Sequence, residues 1–391
     1  IASNNGVNTA KSIDGNLITL TFTATETIST PTCDIEFNDV DATNAETIAY
    51  SGSNNLWTCT VVSHDSDADG AVTFSIGYTD SAGNAGVAES TVDDSSSMVH
   101  DDTLPTLGTV GIASNNGNTA LSIDGNTVTV TFTASETLSS ATCDMEFNDV
   151  DATNTESITY SGANNIWTCA VVSHDSDADG TVSFSIVPTD AAGIAGAAEE
   201  TVDDSSTMTH DDTVPTLSLV GISTAGTGNA NNGDDVTLTF KGSETLGTPV
   251  CTMKDGGGAT MDNAPAVSHA GSNVWNCVVS TADADADGAM TYSIAFADAA
   301  GNSGVAVTSG SGSVTIDNTH PTMSPVSMVS NNGNTALSID GNTITVSFTT
   351  NEATGTPTCD IEFNNVDATN TEAVASAGTN AWTCTVVAHD S

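Results

Sequence analysis

The stretch CDIEFNDVDATN at 33–44 returns as CDMEFNDVDATN at 143–154 and as CDIEFNNVDATN at 359–370. A more divergent copy begins at Cys251, so the leading cysteines Cys33, Cys143, Cys251 and Cys359 stand 110, 108 and 108 residues apart. A period of that size is a whole small domain, far too long for one turn of a solenoid. Repetition therefore restricts the chain to a row of similar domains and excludes one large core. The seams read DDTLPT (101–106), DDTVPT (211–216) and DNTHPT (317–322), short polar hinges stiffened by proline. They place repeats at 1–100, 101–210, 211–316 and 317–391, the third being the divergent one. The first repeat lacks its N-terminal strand region and the fourth its C-terminal part, as expected of a window on a longer array. A missing leader peptide then carries no weight.

Within a repeat the hydrophobic period is two. Ile18, Leu20, Phe22 and Ala24 alternate with Thr19, Thr21 and Thr23, and Val128, Val130, Phe132 and Ala134 do the same one repeat later. Val72, Phe74, Ile76 and Tyr78 form another such run, as do Met290, Tyr292, Ile294 and Phe296. Apolar-in, threonine-out strands broken by Asn-Gly, Asp-Gly and Gly-Asn turns predict two antiparallel sheets packed face to face. No stretch has a sustained helical period. Seven short strands in such a length fit an all-β fold of tandem immunoglobulin-like sandwiches.

The cysteines fall one pair to a repeat: Cys33/Cys59, Cys143/Cys169, Cys251/Cys277 and Cys359/Cys384. No CxxC occurs, as a zinc site would require, so each pair is expected to be one intradomain disulfide. Closing such a loop contributes about 3–4 kcal/mol on chain-entropy grounds and implies an oxidising, extracellular setting. A tryptophan stands two residues before each second cysteine, at Trp57, Trp167, Trp275 and Trp382. Strand geometry puts it on the cysteine's face, which predicts a core indole beside each bridge.

Charge narrows the partners. Three lysines and no arginine face 50 acidic residues, a formal net charge of −47. Nucleic acid binding, which depends on Lys and Arg, is excluded, and anionic membrane surfaces are disfavoured. No apolar run approaches the roughly 18 residues of a membrane span. What such a field attracts is metal cations or high external salt.

The run SDADGAVTFSIGYTDSAGNAG (66–86), the seam DDTLPT and the strand VTVTFTASETL (128–138) together resemble bacterial-type immunoglobulin-like repeats of large extracellular surface and adhesin-like proteins. The resemblance spans all four repeats. It implies a stalk or fibre stiffened by Ca²⁺ at the domain junctions, with binding or enzymatic modules elsewhere. The cysteine pairs depart from many such repeats.

In a sandwich of this kind the B–C and F–G turns lie at the end facing the preceding domain, and the A–B, C–D and E–F turns at the other. Glu136 and Asp190 should therefore meet the linker residues Asp101 and Asp102 at the top of the second repeat. The corresponding set is Glu244, Asp298, Asp211 and Asp212 in the third, and Glu352 with Asp317 in the fourth. Hard oxygen ligands from two domains and their linker suit Ca²⁺; the other reading is a capped strand, a shaped turn and solvated aspartates. At the bottom, HDSDADG (64–70, 174–180) offers Asp65, Asp67 and Asp69, and Asp175, Asp177 and Asp179. A complete EF-hand loop would need a glutamate where Ile76 stands. What remains is a tight Asp-Gly turn, or a partial ion site completed by Asp14, Asp39 or Asp41.

The histidines His64, His174, His389, His100, His210 and His320 read as polar surface residues. Nucleophile elbows, phosphate loops, HExxH and N-glycosylation sequons are all absent, and near-copies of one domain argue against an enzyme. Two non-enzymatic functions fit: a structural stalk or filament that associates with its own repeats, and an adhesin whose loops hold a glycan or a surface receptor. Loops this alike from repeat to repeat favour the first.

Overall fold

The computed structural model describes residues 1–162, 165–226 and 228–389, and every regular element among them is a strand. Among the described residues no helix is long and apolar enough to cross a membrane. The chain forms two compact bodies: residues 1–216 with 244–247 and 296–304, and residues 217–243 with 248–295 and 305–391.

In the first body the second repeat is the most complete. One sheet orders its strands Leu107–Ser114, Thr127–Ala134, Ile166–Val172, Ser157–Tyr160. The other orders Leu121–Ser122, Thr209–His210, Gly180–Asp190, Leu138–Phe147, Val150–Asp151. This is an immunoglobulin-like sandwich, all-β as the period of two predicts. Val128, Val130 and Phe132 meet Phe147, Phe184 and Ile186 in its core. Cys169 lies opposite Val130 in one sheet and Cys143 opposite Ile186 in the other, so the Cys143–Cys169 bridge staples sheet to sheet. The Cys33–Cys59 bridge does the same in the first repeat, where Ile18, Leu20, Ile35 and Phe37 form the core.

Two local devices set the register. Asn148 and Asp149 take φ of 52° and 64°, the left-handed pair that turns Leu138–Phe147 back into Val150–Asp151. Gly180, closing the acidic turn, sits at φ 145°, and a Cβ there would come within 2.8 Å of the Asn148 side chain. Only glycine fits.

The second body repeats the pattern. Leu217–Thr224, Asp235–Gly242, Val274–Ser280 and Ala266–Gly271 make one four-stranded sheet; Met323–Ser330, Thr343–Thr350, Ala381–Val387 and Ala373–Gly378 make another. The Cys251–Cys277 and Cys359–Cys384 bridges lie here. The fourth repeat has a smaller core, Ile344, Ile361, Cys384 and Val386. Val326 and Met328 are 59% and 64% exposed, whereas their counterparts Val110 and Ile112 are buried. Those counterparts pack with Val182 and Ile186 of the facing sheet and with Met208 just before Thr209–His210.

Two expectations need correcting. The tryptophans are half-buried rather than fully enclosed, and Trp167 packs against the core cluster that holds Cys169. Trp57 and Trp167 sit toward the end of their strand, where Tyr50 and Tyr160 from the next strand lie over them at 4.9 Å between ring centroids. His100 and His210 are not surface residues. Both are wholly buried, because strand pairing sets Ser12 and Ser122 against Nδ1 (3.0 Å) and the seam brings Asp102 and Asp212 to Nε2 (2.9 Å). His64 and His174 lie at the surface as read, 45% exposed at the side chain.

Candidate metal centre

Three elements of the first body converge at the first seam. Asp101 follows Val99–His100, Glu136 stands in the turn after Thr127–Ala134, and Asp190 ends Gly180–Asp190. One carboxylate oxygen from each lies within 4.8 Å of the other two. Asp190 is wholly buried, and its Oδ1 accepts the amides of Ala192, Gly193 and Ile194 at 2.7–2.9 Å. Those bonds fix the carboxylate plane. They leave Oδ2 buried without a hydrogen-bond partner, and Glu136 Oε1 is in the same condition.

Asp211, Glu244 and Asp298, also within the first body, form a second cluster of the same dimensions. Asp298 is 5% exposed, its Oδ1 held by the amides of Gly301 and Asn302 at 2.7 and 2.9 Å. Glu244 Oε1 is buried and unpartnered.

Such a grouping is costly on its own. Burial, then the charges of Asp101 and Asp190, push the Glu136 carboxyl above its ordinary value, with Lys11 pulling the other way. Burial and Asp298 raise Asp211; burial, Asp211 and Asp298 raise Glu244. A buried anionic oxygen with no donor loses its hydration and gains nothing in return. A hard cation removes both penalties. Ca²⁺ takes six to eight oxygens at about 2.3–2.6 Å, so two oxygens on one ion stand at most about 5 Å apart, which these clusters satisfy. Asp101, Glu136 and Asp190, and Asp211, Glu244 and Asp298, fit the group that the sequence leads one to expect.

Asp102 and Asp212 do not join them. Asp102 Oδ2 turns to His100 and its Oδ1 accepts the Asp14 amide at 2.7 Å; Asp212 turns to His210. Neighbouring linker residues point opposite ways, so one aspartate of each pair enters the acidic cluster and the other a buried histidine. In the second body Glu352 Oε1 is buried without a partner, but Asp317 is exposed, and neither belongs to a cluster of three among the described residues.

The acidic turn resolves into backbone caps. Asp67, 7% exposed, accepts the amides of Thr43 and His64 at 2.8 Å each; Asp177 serves Thr153 and His174 alike. Asp69 accepts the Asp102 amide at 2.8 Å and the Thr103 hydroxyl, and Asp179 does the same for Asp212 and Thr213. Asp65 and Asp175 are exposed beside His64 and His174. The three aspartates of a turn do not converge. Asp69 and Asp179 are instead near enough to the seam clusters for their charge to raise Glu136 and Asp211.

Sequence reasoning missed a second acidic pattern. Asp34, Glu36 and Asp41 cluster at the surface, as do Asp144, Glu146 and Asp151, and Asp360, Glu362 and Asp367. The signal was there: D-x-E puts two carboxylates on one strand face, and the tight turn sets the aspartate of VD opposite the glutamate. The aspartates of these groups are exposed, and Glu36 and Glu146 are half-buried.

Two other features have a structural setting of their own. Ser12 Oγ and His100 Nδ1 share a hydrogen bond and Asp102 Oδ2 lies 2.9 Å from His100 Nε2, and Ser12 and His100 have no exposed surface. A groove of about 570 Å³ on the first repeat is lined by Leu20, Phe22, Phe74 and Tyr78. In the second repeat the counterparts of the first three, Val130, Phe132 and Phe184, pack with Leu107 and Val110. In the second repeat that place is taken by the strand Leu107–Ser114.

No known protein family's sequence profile matches the chain, and no curated protein does. Similar solved structures exist. A tetra-tandem repeat in the extending region of a large adhesion protein is 17% identical, with a TM-score of 0.29 over 96% of this chain and 84% of that one. The titin I-band fragment I67–I69 is 10% identical, TM-score 0.33, over 79% and 95%. The ectodomain of mouse nectin-like molecule 4 is 12% identical, TM-score 0.24, over 78% and 94%. These are tandem arrays like this chain, and at such scores they carry no argument about its function.

Proposed function

We propose that the chain is a segment of an extracellular structural stalk or fibre whose seams are held by Ca²⁺. The observation that carries this reading is Asp190: a carboxylate fixed by three amides, wholly buried, with one oxygen unpartnered, and with a carboxylate oxygen within 4.8 Å of those of Glu136 and Asp101. An ion there joins the linker to two turns of the following repeat and removes the freedom of the hinge. Four disulfides support the extracellular setting. Association of the chain with copies of itself through strand edges is part of the same reading.

Calorimetry with CaCl₂ and small-angle scattering test it together. Two saturable Ca²⁺ sites are expected, with a lower radius of gyration once a chelator lets the hinges bend. Identical scattering curves with and without Ca²⁺, together with an absence of saturable binding, would remove the reading.

A further inference from the structure

The two seam clusters share a ligand set but differ in what else touches it. At the first, the Lys11 ammonium lies 2.9 Å from Asp101 Oδ2, with side chains 23% and 16% exposed. Lys11 precedes Ser12, whose carbonyl receives the Asp101 amide. The equivalent carbonyl at the second cluster belongs to Ser122 and receives the Asp211 amide, and the residue before Ser122 is Leu121. No lysine stands there. Among the described residues no side-chain cation contacts the three carboxylates at the second cluster, whereas one of the three at the first is already paired. The side of the F–G turn differs too: the Asn302 side chain donates to Asp298 Oδ2 at 2.9 Å and to the Asp211 carbonyl, while its counterpart is Ile194, whose side chain has no donor for Asp190 Oδ2.

Resting on the Ca²⁺ reading above, we propose that the clusters are unequal cation sites regulated by Lys11: Asp211, Glu244 and Asp298 load first, and Asp101, Glu136 and Asp190 load only as a divalent ion displaces the ammonium. Lys11 is an internal cation that holds the first seam together when calcium is scarce. Affinity in oxygen-ligand sites follows the count of ligand charges. One unit of charge a few ångströms from a divalent ion in a half-wet setting changes affinity by about tenfold. The first seam is then a low-calcium lysine clip that exchanges for an ion, and the second is committed to the ion. The chain stiffens in two stages as calcium rises.

The test is CaCl₂ titration of the full chain by calorimetry at about 0.15 M NaCl, which screens diffuse binding to the acidic surface. Wild type should give two steps. E244Q should remove the tighter and E136Q the weaker. K11L, which copies Leu121, should tighten the weaker step by about tenfold and leave the other in place. L121K is the reciprocal and should weaken the tighter step. Circular dichroism melts confirm that each variant is folded. A weaker step that K11L does not move, or a tighter step removed by E136Q, overturns the proposal while leaving calcium at the seams intact. If neither glutamine variant changes binding, the underlying calcium reading fails instead.

Discussion

Asp190 shows how far one residue can be read from a sequence. Its place in TDAAG put it in a turn near the seam, and its meeting with Glu136 followed from strand direction alone. The split between Asp101 and Asp102 was not legible, because it depends on His100, and burial of His100 depends on Ser12 some ninety residues earlier. The third repeat supplies a natural control for that network. Where the first two hold Ser, His and Asp, strand pairing there places Ala230 and Ile316, and Asn318 replaces the aspartate, donating to the Ala282 and Asp285 carbonyls at 3.0 and 3.1 Å. A buried polar network is safe whole or absent and costly when halved. His100→Ile alone strands Ser12 and Asp102 and should cost about 2–3 kcal/mol, while the triple change S12A/H100I/D102N should recover most of it. Urea unfolding of the two variants decides this; equal stabilities would mean that the network carries no coupling. Asp190 separates into two roles in the same way. Asp190→Asn keeps an oxygen for the three amides, so the calcium-free fold should hold while calcium affinity drops. Asp190→Ala leaves those amides unmet and should cost about 2 kcal/mol or more without calcium.

At the scale of elements, alternation was nearly the whole story. Threonine-out strands appear where the period of two placed them, and the cysteines fall on facing strands because Cys143 and Cys169 lie in different sheets of one sandwich. Less legible were elements held by side-chain caps rather than by pattern. Thr209–His210 is only two residues long, and the segment before it is tied down by Asp203, which receives the Val110 amide at 2.8 Å. No hydrophobic period marks such a segment. The acidic turn misled for a related reason: alternate aspartates read equally as ion ligands or caps, and only the positions of Thr43, His64 and Asp102 amides distinguish the two. The sheet staple yields a direct prediction. Cys143→Ala with Cys169→Ala should lower stability by about 3–4 kcal/mol, seen as an earlier first transition in a multi-domain melt. An unchanged melt under both oxidising and reducing conditions would show that the bridge contributes nothing beyond its packing.

For the whole molecule the governing quantity is a charge of −47 with three lysines against it, and pH is the variable that exposes it. Glu136, Glu244 and Asp211 are raised in the folded chain above their ordinary 4.5 and 3.8, by burial first. The folded state therefore holds protons that the unfolded state has released, and stability falls as pH rises from those ordinary values through the raised ones. Asp80, Asp94, Asp204 and Asp287 are lowered, chiefly by side-chain hydrogen bonds from Asn84, Ser96, Ser206 and Thr319. Their contribution is present above 3.8 and is lost as pH falls through the lowered values. The two slopes oppose each other, and general repulsion among the remaining carboxylates adds to the first. A calcium-free chain should thus be most stable in mildly acid solution and weaken toward neutrality. Calcium reverses the sign at the clusters only, since an ion there needs the ionised carboxylates, and it should move the optimum up to neutral pH. Melting temperatures from about pH 4 to pH 8, in chelator and in CaCl₂ at matched ionic strength, separate the two effects. Matched ionic strength cancels the diffuse screening, so a shift that survives belongs to the seams. Parallel curves in the two solutions would assign the whole pH dependence to surface repulsion and leave the buried carboxylates without a cation.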